Sequence, residues 1–276
     1  MSIKGDLRPI GIFDSGVGGL SVLRAIHHQM PTEDILYFGD QDHVPYGPRP
    51  MKEVREFSIA ITRFLLGLES KIIIVACNTA SAAALHTLRK KFTKVSFVGM
   101  EPAIKPAAEI TRTGVVGVLA TPATFQGELY ASVVERFAGN VTLLQDTCPG
   151  LVQQIEKGQL EGNETRTILE SALRPMQARG IDTVVLGCTH YPFVIPMIQN
   201  IVGPDVRVID PAPAVARQAA RLLDSYGIRT SSPKVGQLRF FTSGNITLFK
   251  ALLPKLIAET GEIQGVFWDK NEIRMN

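Results

Sequence analysis

Two of the chain's three cysteines stand at the same kind of place. Cys77 follows the apolar run KIIIVA within VACNTASAAAL, and Cys188 follows TVVLG within VLGCTHYPFVI. Each closes a β-branched stretch and precedes a segment that starts like a helix, with Thr79 or Ser81 available as a cap after the first and Thr189 after the second. A thiol at a helix amino terminus sits in positive partial charge, which lowers its pKa from about 8.5 and makes the thiolate accessible. For one cysteine, a small buried residue ending a core strand is the commoner fate. Two at equivalent places, each with a hydroxyl residue within two positions, point to function. Cys148, in DTCPGLV, has no such counterpart and reads as structural.

Thiols on the two sides of one cleft suit reversible proton transfer at a carbon centre. One base takes a proton from one face, the other delivers a proton to the opposite face, and configuration inverts. So weak a carbon acid requires a site that excludes water and holds the substrate close. The developing charge needs donors, and backbone amides with Asn78, Thr79, Thr121 and Thr189 are suitably placed. Asp14 and Ser15 open the turn DSGVGG. Its glycines would let amides approach an anion, but the P-loop lysine and the full dinucleotide spacing are missing. Asp14 reads better as a partner for a substrate ammonium or a thiol's proton, with helix capping as the alternative. PYG (45–47) is a turn by composition, and Arg49 beside it reads as solvated, with contact to a carboxylate as the alternative. His190 can tune Cys188 or shuttle its proton. His27, His28, His43 and His86 show no metal spacing, and there is no CxxC, so no zinc pattern emerges. A cysteine hydrolase would leave the second thiol unexplained.

The elements that must hold these residues are visible as short β-branched runs: IGIF at Ile10, ILYF at Ile35, KIIIVA at Lys71, VSFVG at Val95, VVGVLA at Val115, VTLLQ at Val141, TVVLG at Thr183 and VRVID at Val206. Between them lie segments with helical spacing, such as 51–68, 124–137, 165–179 and 213–223. That alternation predicts parallel α/β sheets, whose ligands bind outside the carboxyl ends of the strands. The pattern also repeats. KIIIVACNTASAAAL overlays DTVVLGCTHYPFVIP, and RPIGIFDSGVGG overlays GVVGVLATPATF, with the interval from Asp14 to Cys77 nearly matching that from Ala120 to Cys188. We therefore expect two similar parallel-sheet α/β domains related by a pseudo-twofold axis, with the active site in the cleft between them. The first would comprise residues 1–98 with 211–276, the second 99–210. The tail adds a helix, a strand at Phe240 and Phe241, another helix and GVFWD, and is expected to pack back on the first half.

At 276 residues, with 45% hydrophobic and 20% charged residues, the chain can bury a sizeable core. Its apolar runs fall far short of the roughly 18 residues of a membrane span. The opening MSIKGDLRPIGIF does not read as a signal peptide, and sparse, odd-numbered cysteine fits a reducing compartment, so a cytoplasmic enzyme is expected. A net charge of +3, interspersed along the chain, gives little support for nucleic-acid binding. The densest basic group, Arg89, Lys90, Lys91 and Lys94, reads as charge at a helix end.

GIFDSGVGGLSV, PYG, ACNTASA, CPGLVQQIEKG and GCTHYPF, in this order and spacing, resemble the bacterial glutamate racemases of the cofactor-independent aspartate/glutamate racemase superfamily. The resemblance implies interconversion of L- and D-glutamate, supplying D-glutamate for peptidoglycan. It implies that Cys77 deprotonates the D-enantiomer and Cys188 the L-enantiomer, with Asp14, Glu156 and His190 as auxiliary groups. Substrate would be bound by Asp14, Ser15, Pro45, Tyr46, Gly47, Asn78, Thr79, Thr121, Thr124, Thr189 and His190. Glu156 rests on the resemblance alone, since by pattern it is an exposed helix residue. His43 stands where the family often has arginine, a change expected to affect the rim. No metal, pyridoxal phosphate or nucleotide is implied, and no lysine has a Schiff-base context. A homodimer is implied, and the short leader argues against activation by a peptidoglycan precursor. Inhibition of DNA gyrase is known in the family and unsupported by this charge pattern. The nearest alternative is a racemase for aspartate or a hydantoin; from another class, an amino-acid sensor would make paired thiols superfluous.

Overall fold

The computed structural model describes residues 5–275; the first four residues of the leader, discussed above for targeting, lie outside them. In chain order the first half runs β1 (Ile10–Asp14), α1 (Leu20–Gln29), β2 (Ile35–Gly39), α2 (Met51–Gly67), β3 (Ile72–Val75), α3 (Asn78–Lys91), β4 (Ser96–Gly99). There follow α4 (Ile104–Ile110), β5 (Val115–Ala120), α5 (Pro122–Gln126), α6 (Glu128–Phe137), β6 (Thr142–Asp146), α7 (Leu151–Glu156), α8 (Asn163–Ala178), β7 (Thr183–Gly187), α9 (Ile195–Val202) and β8 (Arg207–Ile209). The tail holds α10 (Ala212–Ser225), β9 (Leu238–Thr242), α11 (Ile246–Leu256), β10 (Glu262–Asp269) and β11 (Glu272–Met275).

These strands form two sheets, in the orders β11-β10-β9-β2-β1-β3-β4 and β6-β5-β7-β8. All pairings are parallel except β10 with β11. The order β2-β1-β3-β4 recurs as β6-β5-β7-β8, so the overlaid motifs occupy equivalent strands: β1 matches β5, and β3 matches β7. The chain is thus a two-domain α/β protein, and the tail enters the first sheet by pairing β9 with β2.

Strands covered on both faces read as unbroken apolar runs, and β3 is buried at all four positions. Ile10, Ile12, Ile72 and Ile74 pack on one face of the first sheet, while Phe13, Leu36, Phe38, Ile73 and Val75 pack on the other. Each such side chain contributes roughly 1.5–3 kcal/mol on burial. The segment 124–137 is two helices rather than one. They break at Gly127, where a Cβ would come within 2.8 Å of the Ala82 side chain, so the glycine is what lets this turn lie against α3. Among the described residues, no helix is long and apolar enough to cross a membrane.

Candidate active site

The strand ends of both sheets open onto one small cavity, with about 20 Å³ of free space between its walls. The first half supplies Ser15, the PYG residues Pro45, Tyr46 and Gly47, and Cys77, Asn78 and Thr79. The second supplies Thr121, Val152, Gly187, Cys188, Thr189 and His190. Val152 and Gly187 were not singled out by sequence.

Cys77 is itself the N-cap of α3: its sulfur accepts from the Ala80 amide at 3.5 Å, so neither Thr79 nor Ser81 is the cap. Its thiol donates towards Ser15 Oγ at 3.9 Å. The expectation of a lowered pKa at Cys77 is reversed. Burial pushes the thiol well above its ordinary value and the charges of Asp14 and Cys188 add to this, outweighing the Ala80 amide and Ser15. Cys188 does not start an α-helix. Its chain passes through a 3-10 turn, Tyr191–Val194, before α9, because Pro196 fits the first turn of a helix but would break the interior of one begun at Thr189. Thr189 is therefore no cap; its hydroxyl donates to Asp14 Oδ1 at 3.1 Å, across the cleft.

Asp14 is fully buried, with Oδ2 accepting from the Gly16 amide at 3.0 Å. It does not cap α1, whose N-cap is Gly19. Burial raises its pKa, against the pull of the His190 charge and the Gly16 and Gly19 amides.

Behind Cys188, His190 Nδ1 lies 3.8 Å from the sulfur and Nε2 lies 2.7 Å from Glu156 Oε1. Glu156 is not an exposed helix residue: only 11% of its side chain is accessible, and the Val17 amide (2.8 Å) and Gln41 Nε2 (2.9 Å) also donate to it. Burial opposes ionisation of both partners, yet their mutual bond prevails. Glu156 lies below its ordinary range, and His190, held by Cys188 and Glu156, lies well above its own. The turn DSGVGG thus cradles a carboxylate of this chain rather than a phosphate. A Cβ at Gly16 would overlap Glu156, and one at Gly18 would overlap the His190 ring.

Asn78, the first residue of α3, is buried with neither Oδ1 nor Nδ2 partnered within the protein. A buried amide left without bonds next to a cavity calls for a partner from outside the protein, water or ligand. The Thr79 and Thr121 hydroxyls meet across the halves at 2.9 Å; Thr124, behind Thr121 at 3.0 Å, supports that pair without lining the cavity. Tyr46 donates to the buried Asp40 at 2.6 Å, and the Val44–Pro45 peptide beside it is cis. His43 stacks on Phe57 and bonds to Asp40. Arg49 is not merely solvated: it donates to the His43 carbonyl and pairs with Glu53. Cys148 is buried outside this cavity, its thiol raised mainly by burial. Among the described residues, no group of three or more His, Cys, Asp or Glu side chains converges to hold a metal.

The family model of Asp/Glu/Hydantoin racemase matches residues 10–219. The glutamate racemase of Ectopseudomonas mendocina (strain ymp) is 46% identical over 255 residues, covering 92% of this chain and 97% of the relative. The crystal structure of glutamate racemase isoform RacE1 from Bacillus anthracis superposes with a TM-score of 0.84 at 32% identity, covering 96% of this chain and 98% of that one. The Escherichia coli glutamate racemase, in complex with L-glutamate and the activator UDP-MurNAc-Ala, gives 0.82 at 32% identity over 94% of this chain and 97% of that one. On the family model and these relatives together, the chain belongs to the Asp/Glu/Hydantoin racemase family.

Proposed function

We propose that this chain is a glutamate racemase in which Cys77 and Cys188 are the two bases. The observation that carries the proposal is that thiols from equivalent strand ends of the two sheets open onto one small cavity, beside the unbonded amide of Asn78. The names of the relatives, and the L-glutamate in the E. coli structure, support glutamate as substrate.

In the D-to-L direction the Cys77 thiolate takes the Cα proton, and the electron pair of the broken C–H bond delocalises into the carboxylate. The Cys188 S–H then protonates the opposite face and is left as thiolate. In the L-to-D direction the roles exchange. A thiolate destabilised by burial, as at Cys77, is a stronger base when it ionises, which narrows the gap to so weak a carbon acid. Asn78 and the threonine hydroxyls are placed to donate to the carboxylate as charge develops there. His190 stands ready to exchange a proton with Cys188, and Asp14, which does not itself line the cavity, would act through the Thr189 hydroxyl it holds. The same reading takes residues 1–98 with 211–276 as one domain and 99–210 as the other. It also assigns the product to cell-wall synthesis and the protein to the cytoplasm as a homodimer.

Purified protein incubated with L-glutamate and followed by chiral chromatography should approach an equal mixture of enantiomers, while Cys77→Ala and Cys188→Ala should each lose more than about a thousandfold in rate. A single variant retaining substantial racemisation would refute the two-thiol mechanism; faster inversion of aspartate than glutamate would change the substrate.

A further inference from the structure

We infer that Gln41, oriented by Thr242 of β9, is a positioning residue that fixes which nitrogen of His190 exchanges a proton with Cys188. The inference deepens the racemase reading and rests on it for its link to turnover. Gln41 follows β2 by two residues and reaches Glu156 from the side opposite the glycine turn.

The direction of every bond in this chain follows from its ends. The Gly244 amide can only donate, and it does so to Thr242 Oγ1 at 3.1 Å. The Thr242 hydroxyl, keeping one acceptor site spare, donates to Gln41 Oε1, 2.9 Å away, and the Glu156 end fixes that direction. The amide of Gln41 then has its NH₂ end facing Glu156 Oε2 at 2.9 Å; the reversed orientation would set oxygen against carboxylate. Glu156 Oε1 meanwhile accepts from the Val17 amide, another obligatory donor. Surrounded by donors, Glu156 stays an acceptor, so the His190 Nε2 only 2.7 Å away must carry a hydrogen. That hydrogen is held in place. The mobile proton of the ring is therefore the one on Nδ1, the nitrogen that faces the Cys188 sulfur at 3.8 Å. One residue between β2 and the PYG turn, Gln41, and one at the end of a strand contributed by the tail, Thr242, thus determine how one of the two bases is reset between turnovers. Gln41 touches neither the cavity nor a thiol, so it acts only through Glu156 and His190.

Two variants remove the links without changing shape: Gln41→Met deletes the amide and Thr242→Val the hydroxyl. Gln41→Met should lower kcat about tenfold, the effect of one hydrogen bond to a charged group, with KM within about twofold. Thr242→Val should lower kcat less, and the double variant should be no worse than Gln41→Met alone, since both act through one chain. Two merely structural losses would instead add, and would lower the active fraction along with the melting temperature. Nitrogen-15 histidine NMR provides a readout independent of turnover. In the wild-type protein the His190 Nε2–H signal should be downfield and slow to exchange, and in Gln41→Met it should move upfield and exchange faster. Wild-type kcat in Gln41→Met, or a bare Nε2 on His190 in the wild type, overturns the inference. Protein that fails to invert glutamate while keeping the expected Nε2–H signal overturns the racemase reading and leaves the hydrogen-bond assignment standing.

Discussion

The substitution Gly18→Ala should silence the site while leaving the fold in place. Gly18 is the fifth residue of DSGVGG, and a Cβ there would stand 2.6 Å from Cε1 and 2.8 Å from Cγ of His190, and closer still to Nδ1. The backbone of Gly18 is not in the left-handed region, so alanine adds no conformational strain and the effect is purely steric. Carbon atoms rest at about 3.5–4.0 Å, so the imidazole must retreat by about 1 Å. It cannot do so and keep both its bond to Glu156 and its contact with Cys188. Overpacking of this kind costs about 1–3 kcal/mol of stability, which a domain of this size survives. A catalytic group displaced by about 1 Å loses on the order of a hundredfold in rate. Steady-state racemisation should therefore show kcat down about a hundredfold, with KM changed far less, in protein whose circular dichroism is native. Gly67→Ala is the control: nothing lies within 4 Å of its Cβ, and activity should be unchanged. A Gly18→Ala enzyme within about threefold of wild-type kcat would show that the glycine turn does not position His190.

Replacing Asn78 by leucine should abolish activity yet raise stability in urea unfolding by about 1 kcal/mol, because an unbonded buried amide is removed. A loss of stability would mean that the amide is satisfied in the free protein. The Glu156–His190 pair sets a pH window. The stabilisation from Glu156 is present above its ordinary value of 4.5 and is lost as pH falls through its lowered pKa. That from His190 is present below 6.5 and is lost as pH rises through its raised pKa. The melting temperature lost in Glu156→Gln should accordingly be largest between about pH 4.5 and 6.5; a pH-independent deficit contradicts this. Asp182 accepts from Thr111, Thr183 and the Arg112 and Thr113 amides, and these bonds overcome burial to hold its pKa down to about 2. Asp182→Asn should cost about 1–2 kcal/mol at pH 7 after allowance for solvent screening, and the difference should fade as pH falls from 3.8 towards 2.

What could be read from the sequence follows from what each residue needs locally. Strands buried on both faces announce themselves as β-branched runs, so β1 to β8 and the matched thiols were legible, whereas β11, reading EIRM and mostly exposed, carries no apolar pattern. The helix expected at Cys188 failed because Pro196 is accepted in a helix's first turn and not in its interior, so α9 begins only at Ile195, which the apolar spacing of YPFVI conceals. Glu156 was invisible because IEKG has the look of a helix end in water. Only the fold brings it to the Val17 amide, 139 positions away in sequence. The signal that could have revealed it was the glycine turn itself, whose missing side chains make room for Glu156 and His190 instead of an external anion. Gln41 and Thr242 gave no sign, since a polar residue after a strand is ordinary and their meaning lies in the direction of bonds across the sheet.

Heavy water gives the sharpest test of two bases on opposite faces of one carbon. L-glutamate incubated in it with the enzyme should, at early times, yield D-glutamate carrying deuterium at Cα, while the remaining L-glutamate stays protiated. Deuterium entering residual L-glutamate as fast as it enters the product would mean that one group both removes and returns the proton, and Cys77 and Cys188 would not be partners in the reaction.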